Sequence, residues 1–132
     1  MKYILSFAMM IALLSCNAQQ KENTSGTEQS VQQSLYSDVS NEEAKVLING
    51  RPDLQIIDVR TDGEVAQGII DGAVQIDISK PSFERELTEL DKNAPVLVYC
   101  RSGGRSKTAQ NRMKDMGFKE VHNLRNGYSQ WK

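Results

Sequence analysis

The chain has 132 residues, which is enough for one domain and too few for two domains with separate cores. Its formal net charge of -1 argues against a general nucleic-acid-binding protein, which needs surplus positive charge to neutralise phosphates. Hydrophobic and charged fractions of 39% and 25% fit an ordinary soluble domain, although the apolar residues are unevenly distributed along the chain.

The N-terminal segment MKYILSFAMMIALLSC has the pattern of a secretion signal. Its apolar run from Ile4 to Leu14, interrupted only by Ser6, is shorter than the ~20 residues of a membrane-spanning helix and suits a signal-peptide core. The run ends in LLSC, which resembles the lipobox of bacterial lipoproteins. That resemblance implies that residues 1–15 are removed and that Cys16 becomes the lipidated first residue. An ordinary secretory signal and an uncleaved hydrophobic anchor remain the alternatives.

Lipidation of Cys16 would place the protein at the bacterial cell envelope, facing the periplasm or the exterior. More than one acyl chain on this residue is sufficient for stable membrane anchoring. Asn17 follows, rather than the aspartate that commonly signals retention in the inner membrane, which favours the outer membrane. Residues 17–34 contain Val31 as their only large apolar residue, so we expect a flexible linker with a reach of ~23 Å.

Predicted helices and strands alternate over residues 35–132. Ser40 and Glu43 have capping-box spacing and predict a helix over 41–49, before Gly50. Apolar and β-branched runs predict strands over 54–59, 72–78, 96–100 and 118–124, and further helices are predicted over 82–90, 104–116 and 126–132. This alternation indicates an α/β domain with a mainly parallel sheet. Ligands of such sheets bind at the carboxyl ends of the strands.

One predicted strand, VLVYC, ends at Cys100, and the short turn RSGGRS follows it. Backbone N–H groups, the positive end of the next helix and the guanidinium groups of Arg101 and Arg105 would all favour the thiolate. Gly103 and Gly104 permit close approach of a ligand, and Arg105 can bind an oxyanion through two donors. The pattern suits displacement at sulfur, phosphorus or arsenic with Cys100 carrying the transferred atom. A buried strand-end cysteine beside a plain glycine turn is the alternative.

The loop CRSGGRS resembles the active-site loop of single-domain rhodaneses, the thiosulfate or persulfide sulfurtransferases. DVR at 58–60, EVAQGIIDGAVQI at 64–76 and LRNGYSQW at 124–131 resemble further motifs of that family in the same order. Two positions depart from the family pattern: Ile69 replaces the usual histidine, and Asn126 replaces the first of two paired glycines. The resemblance implies a rhodanese-like three-layer domain with about five strands, mainly parallel and flanked by helices.

The same resemblance implies a sulfurtransferase. Cys100 would take sulfur from thiosulfate or a persulfide donor, become a persulfide, and pass that sulfur to a thiol or cyanide. The donor and acceptor would be small molecules or proteins, no metal or organic cofactor is called for, and we expect a monomer. The substrate-binding residues implied are those of the loop: Arg101, Ser102, Gly103, Gly104, Arg105 and Ser106.

Two other functions remain open. Phosphatases with C-x5-R loops can share such a fold, but the spacing of Cys100 and Arg105 is C-x4-R, and the smaller loop disfavours a phosphatase or arsenate reductase. A non-catalytic module that binds persulfides or anions is the second. With Cys16 lipidated, Cys100 is the only free thiol, so an intramolecular disulfide is impossible and the sulfur acceptor must be external.

Other residues have structural interpretations. Asp58 and Arg60 can contact substrate, but a buried ion pair at the strand end is the favoured reading. We expect Glu64 to make structural hydrogen bonds near the loop and Trp131 to pack the terminal helix on the sheet. His122, the only histidine, has no ligand-spaced neighbours and is assigned no metal or base role.

Overall fold

Five parallel strands form the central sheet of residues 35–132. The computed structural model describes residues 35–132, so the predictions for Cys16, the signal peptide and the linker lie outside the described residues. The strands are β1 (Asp38–Val39), β2 (Gln55–Asp58), β3 (Val74–Gln75), β4 (Val96–Tyr99) and β5 (Val121–Leu124). Their order is β1-β5-β4-β2-β3 and every neighbouring pair is parallel, which confirms the predicted sheet.

From Asp38 to the end of the described residues, four α-helices and one 3-10 turn connect and cover the strands. They are α1 (Asn41–Gly50), α2 (Asp62–Val65), α3 (Phe83–Leu87), α4 (Gly104–Asp115) and the 3-10 helix Tyr128–Gln130. The predicted capping box of α1 is present: the Glu43 N–H donates to Ser40 Oγ at 3.2 Å, and the Ser40 N–H donates to the Glu43 carboxylate at 2.7 Å. This reciprocal pair fixes where α1 begins.

Strand β4 separates two apolar layers because successive side chains of a strand point to opposite faces. Val96, Val98 and Cys100 pack with Met113 and Phe118, on the face covered by α3 and α4. Leu97 and Tyr99 pack on the other face with Ala44 of α1. All four residues of β4 are buried, as expected for a central parallel strand covered on both faces. The result is a three-layer α/β domain with Cys100 on the α4 side.

The C-terminal segment differs from the prediction of a helix over 126–132. It forms only the 3-10 turn, because Gly127 enters it with φ 62° and Trp131 leaves it in an extended conformation. The strand predicted over 72–78 is also shorter, since only Val74–Gln75 pair regularly with β2. Within residues 35–132, no helix is both long and apolar enough to cross a membrane.

Candidate active site

Cys100 lies directly after β4, at the carboxyl edge of the sheet. Its side chain is 1% exposed, and its Sγ accepts hydrogen bonds from the Gly103 N–H at 3.1 Å and the Ser106 hydroxyl at 3.3 Å. Gly103 belongs to the loop that leads into α4, and Ser106 belongs to the first turn of that helix. The sulfur therefore sits in a small cradle of hydrogen-bond donors.

These donors set the ionisation of the thiol. Burial by itself raises the pKa of Cys100, because it penalises the charged thiolate. Hydrogen bonds from the side chain and backbone of Ser106, and from the backbone of Ser102 and Gly103, outweigh burial and hold the pKa below its ordinary value. The arrangement favours a thiolate, which is the nucleophilic form of cysteine.

Gly103 gives the loop its shape. It caps the N-terminus of α4 with φ 97°, a left-handed conformation that favours glycine. A Cβ at this position would collide with the carbonyl oxygen of Arg125. The Asn123 side-chain amide donates to the Gly103 carbonyl at 3.3 Å and holds the peptide from the β5 side. Only glycine allows this close approach, and the approach directs the Gly103 N–H at the sulfur.

The predicted substrate-binding residues differ in exposure. Gly103 and Ser106 are buried with Cys100, and Arg105 is half-buried. The remaining three, Arg101, Ser102 and Gly104, are exposed at the rim of the loop.

Arg105 is held by Glu64, which lies 41 positions earlier in the chain. Its two terminal nitrogens donate to the two carboxylate oxygens at 2.9 and 2.6 Å. The expected structural role of Glu64 near the loop is confirmed. The sequence suggests that the two terminal nitrogens of Arg105 bind an oxyanion, but in the structure both of them donate to Glu64.

Asp58 and Arg60 form the buried ion pair that was the favoured interpretation. Their side chains are 0% and 3% exposed, and Arg60 donates to both carboxylate oxygens at distances from 2.6 to 3.0 Å. The guanidinium also donates to the Gly68 carbonyl at 2.7 Å and lies 4.1 Å from the ring centre of Tyr128. The pair thus joins the end of β2 to the C-terminal segment.

The C-terminal segment supports the cysteine loop, a role that sequence reasoning missed. The Tyr128 N–H donates to the Cys100 carbonyl at 2.8 Å, and the Ser129 N–H donates to the Arg101 carbonyl at 3.0 Å. Gly127 lies against the same carbonyl groups. The motif LRNGYSQW was the available signal, but it does not reveal which backbone groups these residues contact.

His122 and Trp131 lie away from the thiol. Ser37 Oγ and Glu120 Oε1 each lie 2.8 Å from one ring nitrogen of His122. Within residues 35–132, no group of three or more His, Cys, Asp or Glu side chains is placed to hold a metal ion. Trp131 packs against the apolar layer on the α1 side, as expected, but from the extended chain after the 3-10 turn and not from a helix.

The two departures from the family pattern also lie outside residues 100–106. Ile69 is 37% exposed and, with Ile70, Trp131 and residues of α1, lines a cavity of about 290 Å³. Asn126 lies in the turn after β5, where its carbonyl accepts a hydrogen bond from the Ser129 hydroxyl at 3.3 Å.

The fold and the loop together define an α/β protein whose candidate nucleophile is a cysteine thiolate at the carboxyl edge of a parallel sheet. Comparison with known proteins identifies the family within this class. The model of the rhodanese-like domain family matches residues 40–132. The chain therefore belongs to the rhodanese-like family.

Individual relatives agree with this assignment. A sulfurtransferase of Allochromatium vinosum is 31% identical over 97 residues, covering 74% of this chain and 89% of that protein. The thiosulfate sulfurtransferase GlpE of Coxiella burnetii is 34% identical over 98 residues, with the same two coverages of 74% and 89%. The crystal structure of a rhodanese-like domain protein from Staphylococcus aureus is similar with a TM-score of 0.65 and 27% identity, covering 73% of this chain and 91% of that chain.

Proposed function

We propose that this protein is a sulfurtransferase that moves sulfane sulfur from thiosulfate or a persulfide donor to a thiol or cyanide acceptor. One observation carries the proposal: Cys100 Sγ receives the Gly103 N–H and the Ser106 hydroxyl at the carboxyl edge of the sheet. The named relatives support sulfur transfer in general. The donor, the acceptor and the persulfide on Cys100 are the finer parts of the proposal.

In the first step the Cys100 thiolate attacks the outer sulfur of the donor. With thiosulfate, a bond forms between Sγ and the outer sulfur, the sulfur–sulfur bond of thiosulfate breaks, and sulfite leaves with the bonding electron pair. The loop donors that favour the thiolate then face the new persulfide. Gly103 and Ser106 can stabilise its negative charge, so no histidine base is needed for this step.

In the second step an external nucleophile attacks the outer sulfur of the persulfide. Cyanide gives thiocyanate, and a thiolate gives a new persulfide. The bond between Sγ and the outer sulfur breaks, and its electron pair returns to Cys100 as the thiolate. With Cys16 lipidated, the acceptor is external, because Cys100 is the only cysteine among residues 35–132.

Thiocyanate formation tests the proposal. The Cys16→Ala variant, here called the single-thiol chain, leaves Cys100 as the only cysteine and is purified in detergent. With thiosulfate and cyanide we expect thiocyanate, and with thiosulfate alone we expect the mass of one added sulfur atom. Cys100→Ser in the same chain should abolish both. Absence of both in the parent, or persistence of either in the serine variant, contradicts the proposal.

The same samples separate the alternatives. A binding module would gain the sulfur adduct and release no thiocyanate. A phosphatase would release phosphate from an aryl phosphate, which we do not expect because four residues, and not five, separate Cys100 from Arg105.

We further propose that Cys16 carries a lipid that tethers the domain to the cell envelope, on the outer membrane, through the linker of residues 17–34. The LLSC sequence and the short apolar run before it support this. Palmitate labelling and membrane fractionation test it. We expect label on the wild type and none on Cys16→Ser, and we expect proteolysis within the linker to release a monomeric fragment. Label that persists in Cys16→Ser would overturn the lipid assignment.

A further inference from the structure

The two guanidinium groups of the cysteine loop have different surroundings. Arg105 makes two hydrogen bonds to Glu64, one to each carboxylate oxygen. Arg101 is exposed, and no carboxylate among residues 35–132 lies close enough to form an ion pair with it. The loop therefore presents one compensated and one uncompensated positive charge to an incoming donor.

Glu64 is itself held in place. The N–H and the hydroxyl of Thr61 both donate to its Oε2 at 3.1 Å, at the start of α2. The hydrogen bonds from Arg105 are the main cause of a pKa of about 2 for this carboxyl, so it is ionised at neutral pH. A carboxylate fixed from both sides keeps its position when a donor enters the loop.

A second carboxylate adds to the effect. Asp77 is buried and acts on Arg105 through its charge, as Cys100 does when ionised. Glu64 and Asp77 both offset the charge of Arg105, so the positive charge that stays uncompensated beside the thiol is that of the exposed Arg101. A donor with two negative charges therefore gains less from this site than it would from two uncompensated guanidinium groups.

The geometry points to Glu64 as a specificity-determining residue: by holding Arg105 and compensating its charge, it makes the site favour singly charged sulfur donors of the R–S–S⁻ or thiosulfonate type over the thiosulfate dianion. This inference rests on the proposed sulfur transfer. Glu64 acts through Arg105 and does not contact the reacting sulfur.

Two donors that differ by one charge test the inference. Methanethiosulfonate is a monoanion, and it delivers the same outer sulfur as thiosulfate does, with methanesulfinate leaving in place of sulfite. In the single-thiol chain, Glu64→Gln should raise the ratio of kcat/KM for thiosulfate to kcat/KM for methanethiosulfonate by about fivefold. Arg105→Gln should lower the same ratio, because it leaves Glu64 uncompensated.

Glu84→Gln is the matched control. It removes the α3 carboxylate that pairs with Arg112, an exposed arginine about two turns further along α4 than Arg105. It should leave the donor ratio unchanged. A purely structural role of Glu64 would lower the rates with both donors together. An unchanged ratio in both Glu64→Gln and Arg105→Gln overturns the inference.

Alkylation of Cys100 separates this inference from the proposed function, because it requires no sulfur transfer. Iodoacetate is an anion and iodoacetamide is neutral. The ratio of their rates at Cys100 should rise several-fold in Glu64→Gln and fall in Arg105→Gln. If thiocyanate never forms while this ratio shifts, the sulfurtransferase proposal fails and the charge assignment stands; if the ratio stays constant in both variants, the charge assignment fails.

Discussion

The substitution Gly127→Ala should lower the free energy of unfolding and disturb the cysteine loop, although residue 127 lies outside that loop. Gly127 has φ 62° and ψ −168°, a region that is essentially restricted to glycine. An alanine Cβ would lie 2.5 Å from the carbonyl oxygen of Arg101 and 2.6 Å from that of Cys100. These atoms belong to the backbone, so no flexible side chain can move aside.

Two costs add in this variant. The backbone conformation costs about 1–3 kcal/mol for a residue with a side chain, and relieving the overlap costs a further ~1–3 kcal/mol. We therefore expect the free energy of unfolding to fall by about 2–6 kcal/mol, a large part of the ~5–15 kcal/mol typical of a domain. Urea denaturation followed by circular dichroism measures this loss.

The control is Gly50→Ala. Gly50 is the last residue of α1 and has no atom within 4 Å of an added Cβ, so alanine there should be neutral or stabilising by up to ~1 kcal/mol. In Gly127→Ala, moreover, iodoacetamide should react more slowly with Cys100 at neutral pH, because the Tyr128 and Ser129 bonds to the loop are displaced. Stability and thiol reactivity that both equal those of the wild type would refute this account of the contact.

Three further changes probe the buried charges and the thiol. Asp58→Asn leaves the Arg60 guanidinium buried without its counter-charge and should lower the free energy of unfolding in urea by about 3–5 kcal/mol. Ser106→Ala removes a donor to the thiolate, so the pKa of Cys100 should rise and its alkylation at pH 7 should slow about two- to fivefold. The pKa of Glu64 is lowered from 4.5 to about 2, so its stabilising effect is complete above pH 4.5. The stability difference between wild type and Glu64→Gln should therefore shrink as pH falls from 4.5 to 2.

Each of these three predictions would be contradicted by a specific result. Glu84→Gln, at an exposed carboxylate, should change stability by less than ~1 kcal/mol. An equally small loss in Asp58→Asn would mean that the buried pair is dispensable. An unchanged pH profile of alkylation in Ser106→Ala would show that the backbone donors alone set the ionisation of Cys100. A difference between wild type and Glu64→Gln that stays constant between pH 6 and pH 2 would contradict the Glu64 assignment.

Local patterns in the sequence were sufficient for much of the fold. The run VLVY consists of β-branched, aliphatic and aromatic residues, and it forms the fully buried strand β4. The capping box at Ser40 and Glu43 begins α1 as predicted. The candidate site also could be predicted, since Cys100 and the donors around it lie within one short stretch of chain. In these cases neighbours in sequence determine the structure.

Contacts between distant segments could not be predicted in this way. Nothing near Arg105 in sequence indicates that Glu64 takes both of its terminal nitrogens, because the two residues are 41 positions apart. The short 3-10 turn in the terminal segment 126–132 reflects the positive φ of Gly127 and the hydrogen bonds to the carbonyls of Cys100 and Arg101, which lie far away in the sequence. Strand β1 has two residues and one neighbour, too short for a periodic pattern.

The groups that favour the thiolate of Cys100 come from its own loop, because the single histidine of the chain lies on the opposite face of the sheet from the sulfur. His122 pairs in register with Leu97, whose side chain packs on the α1 side, whereas Cys100 packs on the α4 side. Without an imidazole to take the proton, the hydrogen bonds from Gly103 and Ser106 have to make the thiolate the favoured form. The geometry of those donors depends in turn on glycine at 103 and 127. Reactivity at the sulfur therefore depends on the backbone that supports the loop as well as on the side chains within it.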